Sequence, residues 1–188
     1  SDTELGGQIT RTGGVLGFTP GSYTIEAESI YVGYRYFETR YEDVVMGTPK
    51  AGKFNWSRTV SFPFGFGLSY TQFEISDIRA DTDVIQANEP FHVTAKVRNA
   101  GNRAGETVIQ LYSNVHVPGQ LTPVRSLTDW QRICLGVGQQ MEVTFELTLA
   151  QLSQLDAEGR AVTPRGKVRI AVGEDSRAPF TVTLPVEA

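Results

Sequence analysis

The chain has 188 residues, 40% hydrophobic and 20% charged, a balance that supports a folded core and excludes a disordered tail. Seventeen lysines and arginines face 21 acids for a net charge of -4, and the bases form no cluster, so neither a nucleic-acid groove nor a polybasic membrane patch is visible. A single cysteine, Cys134, and two histidines, His92 and His116, exclude an internal disulfide and a Cys/His metal centre, and no cofactor motif stands out.

From the first residue the chain is polar and glycine-rich through Gly14, unlike a signal peptide, and no stretch has the length of a membrane span. Whether the protein is secreted or cytoplasmic is left open. Glycines at 6, 7, 13, 14, 17 and 21 break regular structure, while Tyr23-Thr24-Ile25-Glu26 and Ile30-Tyr31-Val32 read as short strands. Thirteen of the 19 aromatic residues fall in the first 70 positions, with little periodicity, so this part is expected to pack onto another domain. From residue 71 the pattern changes to period two. Strands are expected at Ile75–Arg79, Phe91–Arg98, Thr107–Tyr112, Leu127–Leu135, Met141–Leu149, Val168–Val172 and Phe180–Leu184. Turn residues separate them at Asn99–Asn102, Leu135–Gly138 and Asp156–Gly159. Pro118 and Pro123 place Asn114–Ser126 outside the sheets as the longest loop, and only Leu149–Leu155 hints at a helical turn. About seven short strands at this spacing predict a mainly β fold, an antiparallel sandwich of immunoglobulin or fibronectin-III type, preceded by an irregular segment.

Two blocks carry a resemblance. Gly33-Tyr34-Arg35-Tyr36-Phe37, and Phe62-Pro63-Phe64-Gly65-Phe66-Gly67-Leu68-Ser69-Tyr70 with its continuation, resemble the family 3 glycoside hydrolases, typified by β-glucosidases. There such segments join an α/β sandwich domain to a C-terminal fibronectin type III-like module. The resemblance implies that residues 1–70 are the tail of the α/β domain and the interdomain linker, and 71–188 the fibronectin-like sandwich. It implies a parent enzyme hydrolysing terminal β-linked sugars, a β-glucoside or oligosaccharide, with retention. The family's aspartate nucleophile belongs to a barrel domain and its glutamate acid/base to the α/β domain, and neither motif is present. This segment is therefore expected to be catalytically silent, with the missing α/β and barrel domains as its partners; a homodimer contact is left open. Thr39–Arg58 is longer than in the commonest members and resembles a subgroup in which the barrel follows this module.

Retaining glycoside hydrolysis uses two carboxylates ~5 to 5.5 Å apart. Glu38, Glu42 and Asp43 are the acids lying in the aromatic block, and the stronger reading makes them solvated loop residues or partners of Arg35 and Arg40. Arg35 lies between Tyr34 and Tyr36 and reads as an interdomain anchor together with Tyr34, Tyr36, Phe62, Phe64, Phe66 and Tyr70; a rim contact with sugar is its weaker role. Gly65-Phe66-Gly67 lacks the third glycine of a nucleotide loop and reads as a close backbone approach. Trp130 with Tyr112 offers a platform for a sugar ring, but the stronger reading makes Trp130 the core plug of the sandwich. His92 and His116 read as solvated, Cys134 as a small hydrophobe, and Asn55-Trp56-Ser57 fits the glycosylation pattern. A carbohydrate-binding module and a protein-interaction domain are the rival functions.

Overall fold

The computed structural model describes residues 10–11, 23–24, 31–45, 54–87, 89–118, 120, 122–156 and 158–187. The first described residues form one short antiparallel pair, β1 (Thr10–Arg11) with β2 (Tyr23–Thr24), followed by helices α1 (Tyr34–Val45) and α2 (Trp56–Thr59). Ten strands follow: β3 (Phe73–Ala80), β4 (Ile85–Gln86), β5 (Phe91–Asn99), β6 (Gly105–Asn114), β7 (Ser126–Leu135), β8 (Gln140–Leu147), β9 (Gln154–Leu155), β10 (Ala161–Val162), β11 (Gly166–Gly173) and β12 (Phe180–Glu187). One sheet has the order β3-β5-β8 and the other β4-β12-β11-β6-β7. The long strands pair antiparallel within each sheet, and only the short β4 runs parallel to β12. The expected mainly β sandwich is present, and its strands are those of the period-two reading lengthened by one to three residues at most ends.

In β5, Phe91, Val93, Ala95, Val97 and Asn99 are buried while the residues between them are not. Phe145, Leu147, Ile109, Leu111, Val168 and Ile170 meet these side chains from the other strands and form one core. Burying one such side chain contributes about 1.5–3 kcal/mol. The expected helical turn is a hydrogen-bonded turn in which Leu152 donates to the Leu149 carbonyl, and both leucines are buried.

Strand β6 breaks the alternation: Ile109 through Ser113 are all buried. One face of β6 meets the opposite sheet, so its other face must also be covered, and the cover comes from the aromatic block. Tyr112, Ala171 and Ala178 form a second cluster there with Tyr34, Leu127 and Phe180. Tyr31 and Val32 are in no strand, Ile30 lies outside the described residues, and helix α1 corrects the reading of Glu38, Glu42 and Asp43 as loop acids. Neither Gly nor Pro interrupts residues 34–45, and Tyr34, Phe37 and Tyr41 recur at helical spacing. Gly33, at φ +61°, turns the chain into the helix.

Two polar devices tie the sandwich together. Asn99 is fully buried; its Nδ2 donates to the carbonyls of Arg103 (2.7 Å) and Leu135 (3.0 Å), and its Oδ1 accepts from Thr71 Oγ1 (2.6 Å) and the Gly101 amide (3.0 Å). On the outer face of the smaller sheet, Asp81 accepts from the His92 amide and pairs with its ring Nδ1, both at 2.8 Å, with Glu146 3.5 Å from Nε2. The side-chain bond from Asp81 raises the His92 pKa above its ordinary value, and the bond from the His92 amide lowers that of Asp81.

Replacing the buried Asn99 by Ala removes four hydrogen bonds, so its urea midpoint should fall by the equivalent of about 2–4 kcal/mol, against less than about 0.5 for the exposed Asn102→Ala. A raised folded-state pKa gives stability that is complete below the unfolded histidine value and lost as pH rises through the folded one. Asp81 contributes only above the unfolded carboxylate range. The two overlap between about pH 4 and 6.5. His92→Gln should therefore lower Tm more at pH 5.5 than at pH 8.5; an equal drop at both rules out the linkage.

Candidate functional site: an aromatic clamp on the larger sheet

Helix α1 presents Tyr34, Phe37 and Glu38, one turn apart, to the outer face of the larger sheet. The Tyr34 ring stacks on Phe64 (centroids 4.2 Å, 15°) and meets the edge of Tyr112 (6.5 Å, 73°), while its hydroxyl accepts from the Leu127 amide at 2.9 Å. Thr39 Oγ1 accepts from the Val124 amide at 3.3 Å, fixing the helix to the long loop before β7. Glu38 is 4% exposed and its Oε1 accepts from Ser176 Oγ at 2.6 Å. A stacked pair adds roughly 0.5–1.5 kcal/mol beyond the area it buries.

The Phe62–Gly67 loop closes the same face. The Phe64 carbonyl accepts from the Ser176 amide (2.9 Å), and Gln110 Nε2 donates to the carbonyls of Gly65 (3.2 Å) and Glu174 (2.6 Å). The buried Tyr112 hydroxyl donates to Gln110 Oε1 at 2.5 Å, with the Phe64 carbonyl 3.5 Å away. Burial, ahead of the nearby charges, pushes the Tyr112 phenol pKa up, so it stays a neutral donor. Gly65 has φ +82°, and a Cβ there would lie 2.1 Å from Gln110 Oε1. The close approach expected of the glycine pair thus holds at Gly65, against the Gln110 side chain, and not at Gly67, which has open space around it. Arg125, 4% exposed, sits over the rings of Phe180 (4.3 Å) and Tyr112 (5.7 Å) and donates from Nη1 to the Ala178 carbonyl at 2.5 Å.

The residues picked from the sequence divide here. Tyr34 binds the sandwich through its ring and hydroxyl and Phe64 through its carbonyl, the Phe64 ring, 42% exposed, stacking on Tyr34, while Phe66 stacks on Phe62 (5.1 Å). Phe62 (68% exposed), Tyr36 (46%) and Tyr70 (90%) face outward, as does Leu68 at 93%. Arg35 is half-buried on α1, and the arginines over rings at this face are Arg125 and, on Phe180 at 4.7 Å, Arg169. The side chains of Glu42 and Asp43 lie outside the described residues.

Trp130 is not the core plug. It pairs with Gln110 on β7 and shares that residue's outward face, while Ile133 and Leu135 point to the core; the indole is 58% exposed. Tyr112 is fully buried beneath Tyr34 and Arg125, so a platform built from Tyr112 and Trp130 does not exist. Cys134 lies on β7 but faces solvent. Asn55 caps α2, its Oδ1 accepting from the Arg58 amide. Sequence reasoning missed Gln110, Arg125 and Ser176; the one usable signal was Ile109-Gln110-Leu111-Tyr112, bulky at every position where a one-faced strand alternates.

Residues 107–176 match the fibronectin type III-like domain family. The thermostable beta-glucosidase B of Acetivibrio thermocellus is 30% identical over 151 residues, covering 80% of this chain and 18% of that protein. Probable beta-glucosidase M of Emericella nidulans is 33% identical over 181 residues (86% of this chain, 20% of that protein), and a beta-xylosidase of Formosa agariphila 34% over 139 (72% and 19%). Among solved structures, the GH3 beta-glucosidase of Bifidobacterium adolescentis superposes with a TM-score of 0.68 at 25% identity, over 90% of this chain and 23% of that one. The chain thus spans about a fifth of the length of the relatives it matches.

Gly65→Ala combines a strained positive φ with a collision against Gln110, so it should cost about 1–3 kcal/mol in chemical denaturation. Gly67→Ala meets nothing within 4 Å and serves as its control, expected within about 0.5 kcal/mol of the parent. Equal effects at both glycines rule out the close approach as the reason for Gly65.

Proposed function

The chain carries the fibronectin type III-like domain of a family 3 glycoside hydrolase, and from that premise we propose that it is a non-catalytic brace within a longer enzyme. The parent activity is retaining hydrolysis of terminal β-linked sugars. Relatives named as glucosidases and as a xylosidase are matched about equally well, so this segment does not select the sugar. Its partners are the α/β and barrel domains of the same polypeptide.

One observation supports silence in catalysis. A glycosidase acid must reach a glycosidic oxygen, and Glu38, the one acid of the aromatic block whose side chain is described, is 4% exposed and held by Ser176. Its neighbour in space, Ser176, is followed by Arg177, which binds Asp175 at 2.6 Å and so engages that carboxylate too. The support for bracing is the division of the aromatic block. Tyr34 and Phe64 fasten α1 and the loop to the sandwich, leaving Phe62, Leu68 and Tyr70 outward as anchors for the domains beyond.

The purified 188-residue chain, incubated with an aryl β-glucoside and separately with an aryl β-xyloside, should release phenol at the buffer rate. Turnover well above buffer that is lost in Glu38→Gln would sink the non-catalytic role.

A further inference from the structure

The clamp leaves a strip of apolar surface that nothing in the described residues covers. Phe62, Phe66, Leu68 and Tyr70 are 68, 39, 93 and 90% exposed, and Phe62 stacks on Phe66. Trp130 adjoins this strip through the ladder: it is the β-pair partner of Gln110, whose amide holds the Gly65 carbonyl one residue before Phe66. Opposed residues on one sheet face have Cβ atoms about 4.5–5.5 Å apart, which sets the indole beside the Gly65–Gly67 loop. At about 200 Å² for each large side chain, the five expose on the order of 700 Å². That exceeds the largest apolar patch of an ordinary monomer and approaches the roughly 800 Å² that each partner buries in a stable complex.

A cleft of about 420 Å³ runs between the strip and the sheet, lined by Phe66, Leu68, Glu106, Arg132, Glu174 and Arg177 among others. Its polar groups already have partners: Arg132 bonds Glu106, Thr107 Oγ1 donates to Glu174 at 2.6 Å, and Arg177 bonds Asp175. A sugar needs donors and acceptors free to meet its hydroxyls, and a leucine offers no face for ring stacking. An exposed indole among exposed Phe, Leu and Tyr, rimmed by paired charges, matches instead the make-up of a protein interface.

We infer that Trp130 is an anchor of the docking surface that this chain presents to the catalytic portion of its own polypeptide, extending the Phe62–Tyr70 strip onto strand β7. The inference rests on the bracing role proposed above. The length of chain outside this segment identifies the occupant, since the matched relatives are about four times as long as this chain. The mating surface is apolar, with a pocket for the indole.

Hydroxyl-radical footprinting of this chain alone and within the full-length enzyme tests it residue by residue. Trp130, Leu68 and Tyr70 should label readily in the isolated chain and be protected at least about fivefold in the full enzyme, as for groups moved into an interface core. Protection of Leu68 and Tyr70 with Trp130 labelled equally in both overturns the Trp130 assignment and leaves the brace standing. Equal labelling of all three overturns both. Protection of Trp130 in the isolated chain on adding soluble β-glucan overturns the inference in favour of a sugar site. As a second readout, Trp130→Ala should lower Tm by several degrees in the full enzyme and by less than about one degree in the isolated chain, where the indole is 58% exposed. Equal shifts in the two also overturn it.

Discussion

The structure turns on the outward face of strand β6, where Gln110 and Tyr112 carry polar atoms into a place closed to water. A buried hydroxyl or amide without a partner costs about 1–3 kcal/mol, so these two side chains need one another and need the Gly65–Phe64 backbone above them. Once the loop is held by its own carbonyls, Phe64 is fixed. Tyr34 then has a ring to stack on, and α1 has its seat. Glu38 and Ser176, Arg125 and Ala178, Thr39 and Val124 close the edges of the same contact. The order of dependence runs from strand to loop to helix, because only the sandwich has a core large enough to stand first.

This explains why a block so rich in aromatics folds back on the β module. A segment without a core of its own must borrow one, and the larger sheet offers a face already specified by Gln110 and Tyr112. The borrowed contact uses only one side of the block. Within Phe62–Tyr70 the Phe64 ring stacks on Tyr34 while staying 42% exposed, and Phe62 and Phe66 stack on one another away from it. The exposed strip is the part of the segment that the contacts with the sandwich and with α1 leave uncovered.

How much of this was legible in the sequence follows from how many faces each element buries. Strands with one wet face, such as β5 and β8, announce themselves by alternation, and their turns by Gly and Asn. Strand β6, covered on both sides, hides its second partner in an apolar run that reads equally well as an ordinary core strand. Helix α1 was missed because Tyr, Phe and Val favour strands and because its inward face includes Glu38, a residue that polarity alone sends to solvent. Trp130 was misassigned because tryptophan is a common core plug in this fold. The parity of β7, with Ile133 and Leu135 inward, is the physical datum that overrides the habit. The contacts of Gln110, Arg125 and Ser176 join residues more than 40 positions apart and leave no local trace.

The exposed strip also sets how this module relates to whatever encloses it. Covering on the order of 700 Å² of apolar surface at about 25 cal/mol per Å² releases more than 10 kcal/mol before the costs of ordering, which is comparable to the whole stability of a domain of this size. With the partner tethered in the same polypeptide, as proposed above, association requires no loss of free translation, and the remaining cost is that of ordering side chains and loops. The stability of the sandwich and that of its neighbours then become one quantity. A substitution at Gln110 or Gly65, far from any reacting atom, acts on the enzyme by loosening the loop that aims Phe62, Leu68 and Tyr70. In the bracing role proposed above, the module bears on catalysis through the rigidity of the surface it offers.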